Sequence, residues 1–271
     1  MRKIVGTGLL VLLAACASNP FRGSEKIYTK QIRGFGKDLR KKEVNAFVDS
    51  AGNALASQWV STVNFNLRKP NYVIIHHTAQ KSTQETLKTF TQAKTQVSAH
   101  YLIGADGTIT QLLNDYLRAW HGGVAKWGSI TDINSVAIGI ELDNTGKSPF
   151  TEVQIDALLS LLQKLKTSYN IPRANFIGHS DIAPSRKVDP SMYFPWAKLA
   201  EKGFGYMPAP LLTEPVPTTF DPLLALRVIG YDTKDGAAAM AAFKRHFLGK
   251  NDGSDLNEED LRALYNVYCN Y

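Results

Sequence analysis

The chain has 271 residues, of which 44% are hydrophobic and 20% are charged. This length allows one good core plus a smaller unit, and the composition excludes an intrinsically disordered chain. The formal net charge of +7 suits a polyanionic wall or a membrane surface. No basic run is interleaved with aromatic residues, so we expect no nucleic-acid partner.

The first residues have the features of a secretory signal. Arg2 and Lys3 precede an apolar run over residues 4–13, which is too short to span a membrane because about 20 residues are needed. The run ends in small residues at Cys16 and resembles the bacterial lipoprotein box. That resemblance implies a signal peptide over residues 1–16, acylation of Cys16 and a membrane anchor. The alternatives are a plain signal peptide and a short membrane anchor.

The segment after this cysteine is predicted to link the anchor to the rest of the chain. Ala17 stands where an aspartate would be expected for retention at the inner membrane, which suggests the outer membrane, facing the periplasm. Residues 17–60 are predicted to form a tether and N-terminal extension. Within it, residues 17–42 are polar and rich in Lys and Arg, and residues 44–60 are a candidate short helix.

An alternating series of strands and helices begins near Asn71 and predicts an α/β domain over residues 61–207. Continuous β-branched runs are typical of buried strands, and the spacing of Ile155, Leu158, Leu162 and Leu165 predicts a core-facing helix. The predicted strands are residues 72–75, 99–103, 108–113, 135–142 and 174–178, and the predicted helices are residues 82–95, 151–170 and a short one from Pro195.

Prolines then predict a stiff linker over residues 208–220, followed by a small three-helix domain over residues 221–271. The helical candidates are residues 221–229, 237–248 and 257–268. Asp221 followed by Pro222 is a typical helix start.

The loop over residues 176–195 carries the most chemistry. It contains His179, Lys187 and Asp189, and its prolines at 184 and 190 predict that no helix follows the strand. A cation bound by the imidazole and the carboxylate would order this loop. A hydrogen-bonded His–Asp pair that pins the loop is an equally good interpretation.

Polar residues at three predicted strand ends suggest one shared site. They are His76 with His77, then Glu141, then His179 followed by its loop. Two histidines and one carboxylate fit a catalytic zinc whose fourth position is left to water. Lys187 would stabilise an oxyanion, and Glu141 would act as the general base.

Four segments resemble the type 2 N-acetylmuramoyl-L-alanine amidases, particularly their AmpD/AmiD-like lipoprotein branch. The segments are residues 73–79 (VIIHHTA), 97–103 (VSAHYLI), 135–142 (SVAIGIEL) and 178–190 (GHSDIAPSRKVDP). The resemblance implies a mixed central β-sheet flanked by helices, as in the peptidoglycan amidase and recognition fold. It also implies that the C-terminal helices are similar to peptidoglycan-binding modules.

Carried over to this chain, the family's zinc ligands fall on His76, His179 and Asp189. The general base falls on Glu141, and the oxyanion stabiliser falls on Lys187. The resemblance implies one Zn²⁺ per chain. Many relatives have a tyrosine where this chain has alanine at position 99, so no tyrosine would assist Glu141, and some have a cysteine in place of the aspartate.

Four further residues are candidates for substrate binding. Arg118 could pair with a substrate carboxylate, and Trp120 could stack on a sugar, although it could equally anchor a lid on the sheet. His121 lies on the same loop, and His77 either packs under the sheet or binds substrate. His100, by contrast, is expected to be structural, and His246 is expected to face solvent.

The resemblance implies a hydrolase that cuts the amide bond between N-acetylmuramic acid and L-alanine in peptidoglycan or muropeptides. We expect a monomer. One alternative is a protein that keeps the fold but only recognises peptidoglycan; another is an amidase for other acyl-peptides.

Overall fold

The computed structural model describes residues 19–42, 46–209 and 215–271. The predicted signal peptide, Cys16 and Ala17 lie outside the described residues. The chain divides into two compact units, residues 1–63 and residues 64–271. None of the helices in the described ranges combines the length and the apolar character needed to cross a bilayer.

The first unit contains a helix and a hairpin. Helix α1 covers Arg22–Asp38, and strands β1 (Phe47–Val48) and β2 (Ala54–Leu55) pair antiparallel. The segment predicted to be a tether thus contains helix α1, and the short helix predicted over residues 44–60 is wrong for its described part. The reason is a turn in which the Asp49 carboxylate accepts hydrogen bonds from the backbone N–H groups of residues 51 and 53 at 2.9 and 2.8 Å.

The second unit is built on a mixed five-stranded sheet, which confirms the predicted fold class. The strand order is β5-β4-β6-β3-β7; β4 and β5 pair antiparallel and all other neighbours pair parallel. The strands are β3 (Tyr72–His77), β4 (Tyr101–Ile103), β5 (Ile109–Gln111), β6 (Ala137–Leu142) and β7 (Phe176–Gly178).

Helices cover both faces of this sheet. The helices of the described residues in this unit are α2 (Thr83–Phe90), α3 (Ile133–Val136), α4 (Glu152–Tyr169), α5 (His179–Ile182), α6 (Trp196–Glu201), α7 (Pro222–Ile229), α8 (Gly236–Leu248) and α9 (Glu258–Tyr268). One core joins the sheet to α4 and α6, and a second joins the opposite face to α7, α8 and α9. Both faces are thus buried, which explains why the central strands are continuously apolar.

The three C-terminal helices form where the sequence predicts them. The Asp221 carboxylate caps α7 by accepting from the backbone N–H groups of Leu223 and Leu224, and Pro222 occupies the first turn. These helices belong to the same compact unit as the sheet. The predicted linker over residues 208–220 therefore does not separate two compact units.

Candidate active site

Sheet register brings the polar strand ends together. His76 of β3 lies directly beside Glu141 of β6 in the parallel pairing. On the other side of β3, Ile75 pairs with Gly178 of β7, so His179 follows at the same edge. Parallel strands end at one edge of a sheet, and this places residues from three distant parts of the chain within reach of one another.

His76, His179 and Asp189 form a compact buried cluster. The Nδ1 atoms of the two histidines are 2.9 Å apart, and Asp189 Oδ2 lies 3.2 Å from His76 Nδ1 and 2.9 Å from His179 Nδ1. Among the described residues, these three side chains form a group whose ligand atoms lie close enough together to hold a metal ion. Burial, followed by the nearby His179, lowers the pKa of His76 to about 4, so its imidazole is neutral at pH 7 and has a lone pair for a cation.

The outer ring atoms of both histidines fit a metal site. His179 Nε2 lies 3.2 Å from the carbonyl oxygen of Gly122, and His76 Nε2 lies 3.1 Å from His121 Nδ1. A carbonyl oxygen only accepts, so His179 carries its proton on Nε2 and turns the Nδ1 lone pair towards the Asp189 carboxylate. Without a cation, the histidine lone pairs and the Asp189 carboxylate would repel one another at such short distances. Two imidazole nitrogens and one carboxylate oxygen are a set of ligands that suits zinc. A simple His–Asp pair that pins the loop explains this arrangement less well.

The loop behind the histidines is held by Asn134. Its Oδ1 accepts from the backbone N–H of His121 at 3.1 Å and from that of Gly122 at 2.8 Å. A Cβ atom at Gly139 would collide with the His121 ring. The absence of a side chain at this strand position therefore provides the space in which the ring lies. His121 is buried and contacts His76, which places its ring behind that histidine, and its role in substrate binding stays a prediction. No local sequence signal identifies Asn134, because its partners are defined only by the fold.

Glu141 is half-buried, and its Oε2 atom has no hydrogen-bond partner among the described residues. Burial, reinforced by the negative charge of Asp189 and opposed by the positive charge of Lys187, raises the pKa of Glu141 to about 8. A carboxyl group with a pKa near neutrality can both accept and release a proton. Its position beside the cluster therefore suits acid–base chemistry.

The loop that supplies Lys187 and Asp189 is tightly closed. The short helix α5 follows β7 directly, so the prediction that no helix forms here is wrong for one turn, which ends before Pro184. The backbone N–H of Ser180 donates to the carbonyl oxygen of Asp189 at 2.7 Å and closes the loop. Lys187 is half-buried, and its charge acts on Glu141 and His76, so its ammonium group belongs to the electrostatics of this site.

A buried carboxylate ties this loop to the C-terminal helices. Asp181 accepts from the backbone N–H of Gly178 at 2.6 Å, from the hydroxyl of Tyr231 at 2.7 Å and from His246 Nδ1 at 2.7 Å. His246 is buried and stacks on Trp196 with a centroid distance of 3.8 Å. The expectation that His246 faces solvent is wrong, because α8 packs this side of the helix onto the loop over residues 176–195.

The other predicted substrate contacts differ in their accessibility. Trp120 is 52% exposed, which leaves its indole available at the surface and argues against a packed lid anchor. Arg118 Nη2 already pairs with Asp132 at 2.7 Å, although both side chains remain partly exposed. His77 is buried, and its Nδ1 accepts from the backbone N–H of Ser191 at 3.2 Å, an arrangement that favours the alternative in which it packs under the sheet. His100 is buried and accepts from the Gly139 N–H, as expected of a structural histidine.

Comparison with known proteins gives consistent matches. Residues 66–192 match the N-acetylmuramoyl-L-alanine amidase family. N-acetylmuramoyl-L-alanine amidase AmiD of Escherichia coli K12 is 40% identical over 152 residues, which are 50% of this chain and 54% of AmiD. The 1,6-anhydro-N-acetylmuramyl-L-alanine amidase AmpD of Haemophilus influenzae is 43% identical over 104 residues, which are 38% of this chain and 56% of AmpD. By sequence, the chain thus spans about half the length of the curated relatives it matches.

Solved structures match over a longer part of the chain. The complex of E. coli AmiD with anhydro-N-acetylmuramic acid-L-Ala-D-γ-Glu-L-Lys superposes with a TM-score of 0.68 at 31% identity, covering 85% of this chain and 99% of AmiD. AmpDH3 of Pseudomonas aeruginosa in complex with anhydromuramic pentapeptide also gives 0.68, at 28% identity and covering 79% of this chain and 96% of AmpDH3. The sequence motifs, the sheet, the convergent strand ends and these matches agree, and the chain belongs to the N-acetylmuramoyl-L-alanine amidase family.

Proposed function

We propose that this protein hydrolyses the amide bond between N-acetylmuramic acid and L-alanine in peptidoglycan or in muropeptides released from it. The observation that carries the proposal is the convergence of His76, His179 and Asp189 beside Glu141 in a chain of this family. The substrate class is supported by the AmiD and AmpDH3 complexes, which contain anhydromuramyl peptides.

One Zn²⁺ ion per chain is the cofactor we propose, held by the Nδ1 atoms of His76 and His179 and by the carboxylate of Asp189. Zinc bound in this way would supply Lewis-acid chemistry, lowering the pKa of water and polarising the scissile carbonyl. The protein keeps the donors in place through the carbonyl oxygen of Gly122 and the Nδ1 atom of His121, each of which contacts an outer ring nitrogen.

Glu141 would remove the proton from the attacking water and pass it to the departing amine nitrogen of L-alanine. This role needs a carboxyl group that changes protonation state near the working pH, and burial gives Glu141 that property. Lys187 would donate a hydrogen bond to the oxyanion that forms at the former carbonyl. One such donor typically lowers the barrier by roughly 3–4 kcal/mol.

The substrate would extend over the exposed Trp120, whose indole can stack on a sugar face. Arg118 would contact a stem-peptide carboxylate, exchanging its present partner Asp132 for the ligand. The C-terminal helices would help to hold wall fragments.

We further propose that the protein acts as a monomer, acylated at Cys16 and anchored to the outer membrane facing the periplasm. The support for the anchor is the basic start, the short apolar run and the small residues before Cys16. Mass spectrometry of the N-terminal peptide from membrane fractions would detect the acyl chains and the cleavage point.

The decisive test is mass spectrometry of muropeptides incubated with the purified protein, with and without a chelator. Free stem peptides are expected from the zinc-loaded protein. Chelation should abolish their release, and Glu141→Gln should slow it by roughly 10²–10⁴-fold. Glu201→Gln, at an exposed glutamate of α6, is the matched control and should leave the rate unchanged.

Each result separates the proposal from its alternatives. A Glu141→Gln variant as fast as the parent would show that this residue is not the base. Binding of sacculi without any release of peptide would identify a recognition protein instead. Equal cleavage of simple acyl-peptides that lack muramic acid would point to an amidase of broader or different substrate class.

A further inference from the structure

The net positive charge of this chain is concentrated in one short segment. Residues 19–42 contain eight Lys or Arg and two Asp or Glu residues, a net charge of +6. Residues 43–271 contain 21 basic and 22 acidic residues, a net charge of −1. The part of the chain with the candidate active site is therefore nearly neutral, and an electrostatic role for the excess charge must lie in the N-terminal unit.

Helix α1 arranges these charges in one stripe. Its basic residues recur every three or four positions and so share a face of the helix: Arg22, Lys26, Lys30, Arg33 and Lys37. Apolar side chains with the same spacing form a second stripe: Tyr28, Ile32, Phe35 and Leu39. At about 100° per residue, the centres of the two stripes are roughly 150° apart around the helix axis.

The apolar stripe is not covered by any of the described residues of its own unit. Phe35 is 53% exposed and Ile32 is 36% exposed, and α1 contains no buried residue. Gly34 and Gly36 also lower the intrinsic stability of the last turns. An exposed amphipathic helix with this composition gains stability when a surface covers its apolar side.

We propose that α1 is an interfacial helix that binds an anionic lipid bilayer. The apolar stripe would enter the boundary between headgroups and acyl chains, and the lysines and arginines would contact the lipid phosphates. A soluble polyanion would use only the basic stripe and would leave the apolar stripe in water, so the pairing of both stripes favours a membrane. The helix has 17 residues and lies on the surface rather than spanning the bilayer.

This binding would complement a lipid anchor. Helix α1 begins six residues after Cys16, so an acylated cysteine and the helix would reach the same surface. The proposal concerns attachment alone and does not depend on amidase activity.

The test is sedimentation of the full chain with lipid vesicles, in a Cys16→Ser background that cannot be acylated. The vesicles are phosphatidylcholine, either pure or with about 30% phosphatidylglycerol. The apolar run over residues 4–13 contributes equally to the binding of every variant. Differences in affinity between variants therefore measure the contribution of α1. Each basic residue near an anionic surface contributes to the free energy of binding. A variant that lacks three of them, Lys26→Gln/Lys30→Gln/Arg33→Gln, should therefore lose about 100-fold in affinity for the anionic vesicles.

A second variant, Ile32→Ser/Phe35→Ser, keeps every charge and should lose at least about 10-fold in binding to the anionic vesicles. The matched control removes three exposed lysines from the second unit, Lys94→Gln/Lys164→Gln/Lys234→Gln, and should bind within a factor of about three of the parent. All variants should keep the parent's thermal unfolding profile for the second unit.

Two results would overturn the proposal. The control could lose as much binding as the stripe variant, which would show that only total charge matters. Alternatively, the apolar variant could bind vesicles normally while the basic variant loses binding to purified sacculi and to heparin. That pattern would mean that the basic stripe binds an anionic polymer instead of a membrane.

Discussion

Asn134 is predicted to control metal affinity without touching the metal. Its Oδ1 atom accepts two hydrogen bonds from the backbone of the loop that supports both histidines of the proposed zinc site. In Asn134→Ala, two buried N–H groups would lose their partner, at a cost of about 1–3 kcal/mol each. The free energy of unfolding should therefore fall by about 2–6 kcal/mol.

The effect on the metal follows from the same loop. His121 Nδ1 and the Gly122 carbonyl oxygen contact the outer ring nitrogens of His76 and His179. When this loop moves, neither imidazole is held in its metal-binding tautomer and orientation. Loss of such supporting contacts typically lowers metal affinity 10–100-fold.

Competition with a chromophoric chelator would measure the zinc dissociation constant, and urea unfolding would measure stability. Asn134→Asp keeps the acceptor oxygen and should retain most of the affinity. Asn114→Ala removes an exposed asparagine whose side-chain oxygen accepts from the Tyr116 N–H, and it serves as the control. The reasoning is refuted if Asn134→Ala is destabilised but binds zinc as tightly as the parent.

Three further predictions test neighbouring contacts. Gly139→Ala places a methyl group against the His121 ring and should weaken zinc binding at least tenfold, as measured by the same competition; unchanged affinity would mean that the ring position is irrelevant. His246→Leu removes one hydrogen bond to the buried Asp181 carboxylate and should lower the free energy of unfolding by about 1–3 kcal/mol in urea titrations, whereas a solvent-facing histidine would give no change. In the metal-free protein, the pKa of Glu141 is raised from its ordinary value of 4.5 to about 8 in the folded state. The protonated carboxyl group is therefore favoured by folding, and its contribution to stability is complete below pH 4.5. This contribution should be lost as the pH rises from 4.5 to 8. Urea unfolding of the chelated protein from pH 5 to 8 should show this decline, and Glu141→Gln should flatten it; a parallel decline in the variant would assign the effect to another group.

Much of the second unit follows from local sequence. The continuous apolar runs at 72–75 and 135–142 and the helical spacing from Ile155 to Leu165 are local patterns, and each forms the predicted element. The polar residues at the strand ends also indicated one site, because parallel strands end at the same edge. These predictions succeed because burial on two faces of a sheet constrains residue types over a few neighbouring positions.

The N-terminal unit shows where local patterns fail. The segment over residues 46–60 has loosely spaced apolar residues, but the Asp49 turn determines a hairpin. The stripes of α1 are regular, yet its glycines and many charges led to the prediction of a tether. Where local preferences are this weak, the secondary structure is determined by a few hydrogen bonds or by contact with a surface. Neither can be predicted from composition.

The sequence by itself determined the strands and main helices of the second unit and the residue types of the candidate metal site. Only the tertiary structure decided what surrounds that site: His121 behind His76, Asn134 behind the loop, and His246 against Asp181. Asp181 and His246 are 65 residues apart, and neither position has a local pattern that names its partner. Periodicity reports which side of an element is buried, whereas the partner of a buried polar group depends on how distant elements pack.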